Sequence, residues 1–224
     1  MHETATSEKT QAEIPFGILE YTAVFKRPIL EAWTVPAFLV SAALNVLEPF
    51  GFKLDGVELK TPPNLSEYAL VFRRTPPGVT LTLGIGKLVI VAEDLDWTEA
   101  DQFIAAAHAG INAIVEKSKA EFQAQHVTLG MHIQLKTKPR HEVTAPLLTP
   151  VAYRLLDGEI KFPGIILQRE KATIVVDGSL AYANALFVRI NREHGADVSL
   201  EKIAEVLHAD EERLFDTLGL QGDL

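Results

Sequence analysis

The chain has 224 residues, 47% of them hydrophobic, 23% charged and 8% aromatic, with no cysteine and a formal net charge of −9. That composition belongs to a globular protein able to bury its own core, and it excludes collagen-like, coiled-coil and disordered chains. The lack of cysteine excludes disulfide scaffolds, Fe–S clusters, thiolate zinc sites and thiol nucleophiles, and the acidic balance disfavours non-specific attraction to nucleic acid or anionic membrane.

Residues 1–13, MHETATSEKTQAE, carry no apolar run and no periodicity. They are expected to form a disordered lead, with no signal peptide or membrane anchor and a cytoplasmic location. A strand is predicted over 18–26. A buried helix is predicted over 35–50, opened by Pro36, whose missing amide costs nothing at a helix start. KLDGVELK (53–60) predicts a hairpin turn at Asp55-Gly56. Strands are predicted over 67–74 and 79–87, on either side of Pro76-Pro77-Gly78, and then over 87–93. A helix is predicted over 98–122, opened by a Thr98–Asp101 capping box and carrying Phe103, Ala107, Gly110, Ile114 and Phe122 near helical spacing.

In HVTLGMHIQLKTK (126–138), Val127, Leu129, Met131, Ile133 and Leu135 alternate with His126, Thr128, His132, Gln134 and Lys136. Alternation of this kind predicts a strand with one core face and one polar face. Strand, helix, strand, strand, helix, strand is the order of a split βαβ, ferredoxin-like half, placed at 14–138. Its last strand is commonly an edge in need of cover. Pro139, Pro146 and Pro150 mark 139–153 as a linker without regular structure. Residues 154–224 are expected to hold an antiparallel half: a hairpin at Asp157-Gly158, strands at 166–170, 171–178 and 185–191 with a turn signal at Asp177-Gly178, and a C-terminal helical hairpin. The fold class expected is α+β.

The helical hairpin, 199–208 and 211–218 with Asp210 as the second N-cap, has the look of a helix-turn-helix. Residues 197–224 nevertheless carry eight acids against Lys202 and Arg213. Phosphate contacts need the opposite sign, so the expected role is structural and no nucleic-acid partner is expected. His126 and His132 sit about 20 Å apart along a strand, too far to share a metal, and no histidine motif supplies a third ligand. Glu93, Asp94 and Asp96 precede a helix; a cation site there is the sharper reading and a favourable helix-dipole contact the plainer one. Leu83-Gly84-Ile85-Gly86-Lys87 lacks the spacing and the following helix of a phosphate loop, and neither Ser118 nor Ser179 sits in a nucleophile elbow.

The run VIVAEDLDWTEADQFIAAAHAGINAIV, with Trp97 and Phe103, and the closing LEKIAEVLHADEERLFDTL, with His208 and Phe215, resemble a sporadically distributed family of uncharacterised bacterial proteins of about this length. The resemblance implies a shared plan over most of 15–220 and carries no activity or catalytic residues. The expected function is a non-enzymatic binding or assembly component that associates with a protein, itself or another, through Thr128, His132, Gln134 and Lys136. No cofactor, metal or membrane is expected. The alternatives are a metal-dependent hydrolase built on Glu93, Asp94 and Asp96, and a helix-turn-helix regulator.

Overall fold

The computed structural model of the protein describes residues 9–74, 78–93, 100–147 and 164–222. Its elements are Thr10–Phe25 (β1), Pro36–Leu47 (α1), Val57–Lys60 (β2), Ala69–Arg74 (β3), Gly78–Gly84 (β4), Lys87–Glu93 (β5), Ala100–Ser118 (α2), Phe122–Leu135 (β6), Arg140–Thr144 (α3), Ile165–Arg169 (β7), Ala172–Gly178 (β8), Ala185–Gly195 (β9), Leu200–Leu218 (α4) and Leu220–Gln221 (β10). The fold is mixed α+β, with a mostly antiparallel sheet ordered β2-β3-β4-β5-β1-β6-β9-β8-β7 and β10 pairing with β1. No described helix is long and apolar enough to cross a membrane.

The chain divides into two compact units, each discontinuous in sequence: residues 1–17, 129–190 and 206–224 form unit 1, and residues 18–128 and 191–205 form unit 2. The division expected at 139–153 does not follow these units, because residues 129–138 fall with those after the prolines.

Unit 2 is built on antiparallel pairs, β3 with β4 and β4 with β5, whose alternate residues Leu70, Phe72, Leu81, Leu83, Leu88 and Ile90 are buried. Helix α1 turns Leu39, Ala43 and Leu47 inward at four-residue spacing, one stripe of a helix. Gly110 of α2 lets the layers close: a Cβ there would lie 3.0 Å from both Leu47 Cδ2 and Leu81 Cδ1. In unit 1, Leu129, Met131, Ile133 and Leu135 of β6 are buried, with Leu186, Val188 and Ile190 of β9 and Leu214, Phe215 and Leu218 of α4. The predicted core face of β6 is the observed one.

Several elements differ from expectation. Strand β1 begins at Thr10, inside the expected lead, where a short parallel pairing matches Thr10 with Leu220 and Gln11 with Gln221. Burial along β1 changes phase between Ala12 and Tyr21, across Pro15-Phe16-Gly17, which hides its length from an alternation test. Asp55-Gly56 is no hairpin tip: it ends a 3₁₀ turn before β2, which pairs with β3. A Cβ at Gly56 would collide with the Arg73 carbonyl, so the glycine serves close approach.

Helix α2 stops at Ser118, not Phe122, because Lys119 takes the left-handed conformation (φ 50°) and Phe122 enters β6 to stack on Phe25. The 139–153 segment is not devoid of regular structure, for α3 and a 3₁₀ turn at 145–147 occupy its described part. The C-terminal hairpin is a single helix, since no glycine or proline interrupts Leu200–Leu218. Strand β6 is no edge; it lies between β1 and β9. The Ile85-Gly86 pair joins β4 to β5 with no helix behind it. Thr98 of the expected cap and the Asp157-Gly158 hairpin lie outside the described residues.

Candidate functional site

Unit 1 gathers its chemistry around His132. The imidazole projects from the outward face of β6 and is framed by Phe16 of β1, Tyr182 of the β8–β9 loop and Phe187 of β9, with ring centroids 6.2, 5.3 and 5.2 Å away. Its Nδ1 lies 2.9 Å from Oγ of the buried Ser179. That Oγ accepts the amide N–H of Ala181 at 3.2 Å and of Tyr182 at 3.0 Å, while the Ser179 amide donates to Ala185 O at 2.9 Å. A hydroxyl has two lone pairs and one proton. With both lone pairs used by amides, the proton goes to His132 Nδ1. Ser179 therefore closes a loop and fixes a tautomer, and it cannot serve as a nucleophile without giving up both tasks.

Asn184 fastens the other end of that loop. Its backbone is left-handed (φ 47°), a conformation asparagine tolerates better than most residues. Its amide nitrogen donates to Leu135 O at 3.0 Å and Lys138 O at 3.1 Å, and its Oδ1 accepts the first amide of α3, Arg140 N, at 3.1 Å. Between these two fastenings, Leu180 is fully exposed.

Three of the four expected partner-binding residues, His132, Gln134 and Lys136, belong to unit 1, whereas Thr128 belongs to unit 2. Thr128 Oγ1 donates to Asn191 Oδ1 at 2.9 Å, and Lys136 Nζ pairs with Glu13 at 2.5 Å. Gln134 is half-buried. The polar face of β6 is thus engaged largely by the chain itself.

Nothing in the sequence pattern singles out Gln125, which is buried in unit 2. Its Nε2 donates to the carbonyls of Gly195 and Val198, each at 2.8 Å, and of Ala196 at 3.2 Å, while its Oε1 accepts the Tyr21 hydroxyl at 2.5 Å. Burial pushes the Tyr21 phenol well above its usual range. Unit 2 also has an open cleft of about 720 Å³ lined by Lys26, Arg27, Glu31, Lys119 and Glu121. Within it, the hydrogen bond and charge of Lys26, at 2.9 Å, hold the Glu121 carboxyl below the usual range.

Glu93 ends β5, exposed, opposite Ile18 and Gly78, and its expected companions Asp94 and Asp96 lie outside the described residues. Among the described residues no three histidine or acidic side chains converge as a metal site. Ser118 donates its hydroxyl to Ile114 O within α2. The turn required by a helix-turn-helix is absent at 209–210, where α4 runs on and Asp210 and Glu211 are buried. No protein-family model matches the chain, and no curated protein sequence matches it.

Proposed function

We propose that the chain is a non-enzymatic association component that docks onto protein, another copy or a different chain, through the 179–184 loop of unit 1, with the His132, Gln134 and Lys136 face of β6 behind it. The observation that carries this reading is Leu180, fully exposed on a loop hydrogen-bonded at both ends. Single exposed leucines are ordinary. A leucine held out by a pre-ordered loop is suited to anchor a contact, because the ordering cost of binding has already been met in folding. Ile166 and Leu167 of β7 add exposed apolar surface in the same unit. Saturation of the Ser179 oxygen argues against acyl-transfer chemistry at this site.

The order β4-β5-β1-β6, with α1 following β1 and α2 preceding β6, supports reading 14–138 as a split βαβ unit widened by β2 and β3. Light scattering over a wide concentration range tests self-association, and native copurification tests the other branch. A monomer at every concentration with no copurifying chain contradicts the proposal.

A further inference from the structure

We propose that His132 and Ser179 form a proton-sensitive latch on the 179–184 loop. Its bearing on docking rests on the association reading above; the latch itself does not. The neutral imidazole takes the Ser179 proton at Nδ1 and keeps its own at Nε2, because the serine oxygen already accepts two amides. A proton added at Nδ1 turns this acceptor into a donor. Ser179 Oγ would then have to accept three N–H groups with two lone pairs, so one of the amides of Ala181 or Tyr182 must let go.

The rings decide which partner moves. Phe16, Tyr182 and Phe187 frame the imidazole and hold the ring in place, so the loop yields. Tyr182 couples the two events, since its ring meets His132 and its amide meets Ser179. Of the side chains that meet the His132 ring, Phe16, Tyr182, Phe187 and Ser179, Tyr182 is titratable. Lys136, on the same face of β6, is neutralised by Glu13 of β1. Arg189 follows Phe187 by two residues on the same face of β9 and is exposed, and Asp177 of β8 accepts the amide of Gly178.

The test is nitrogen-resolved NMR of the His132 ring in the full chain, combined with amide hydrogen exchange of Ala181 and Tyr182 across the titration, corrected for intrinsic rates. The neutral ring should carry its proton on Nε2, and protection of at least one of the two amides should fall about five- to tenfold as the ring becomes charged, the equivalent of one hydrogen bond. Protection at Ile133 should hold. In His132→Asn, whose Oδ1 can accept the Ser179 proton without titrating, the loop should stay protected throughout. A neutral ring protonated on Nδ1, or loop exchange that ignores the titration, overturns the latch. Loop exchange that follows the titration while association stays constant upholds the latch and removes this loop from docking.

Discussion

Gln125 is nearly full at every hydrogen-bonding position, and its partners lie far away in sequence, 104 residues for Tyr21 and 70 for Gly195. Replacing it with leucine keeps the bulk but strands a buried phenol and three carbonyls. Gln125→Leu should cost roughly 2–4 kcal/mol in urea melts, well beyond a typical surface change. Glu211 poses the opposite problem. Burial raises its carboxyl above the usual range, the nearby His208 pulls the other way, and Oε1 has no hydrogen-bond partner. A carboxyl raised in the folded state binds more protons folded than unfolded, so it detracts from stability as pH rises through that raised value. Glu211→Gln should therefore gain stability at neutral pH and flatten the pH dependence above the ordinary carboxylate range. Melts at two pH values read both. Neither residue was legible as a clamp or a buried acid, because a polar residue in an alternating pattern gives no sign of partners supplied from elsewhere in the chain.

Elements with a clean period were the legible ones. The alternation from Val127 to Leu135 located β6 and its buried face, and Pro36 marked the start of α1. Ends were less legible, being set by local conformation such as the left-handed Lys119. The C-terminus shows the difference most clearly. His208-Ala209-Asp210 invites a turn on capping grounds, yet His208 reaches Glu212 at 3.3 Å across one helical turn and Asp210 is buried in mid-helix. Because α4 is continuous, Ala209→Gly should cost about 1 kcal/mol in denaturant melts, as glycine does in a helix interior. A turn at this position would tolerate the change without loss.

At the scale of the whole molecule, the α+β class followed from the mixture of periods, but the strand order did not. Pairing of β1 with β10, and the place of β6 between β1 and β9, depend on contacts between distant segments that no local pattern encodes. The candidate site was half legible: His132 stood out on a polar strand face, while Ser179 and Asn184 became meaningful only once the loop between them was seen to be fastened at both ends. Association through that loop is the central claim. It is tested most directly by sedimentation velocity of the native protein beside Leu180→Asp, a fully exposed position where substitution should leave the melting temperature unchanged. The native protein should sediment as a complex, with itself or with a copurifying chain, that dissociates to the single-chain mass in Leu180→Asp. A native protein that sediments as a lone monomer, or a complex indifferent to the aspartate, would contradict it.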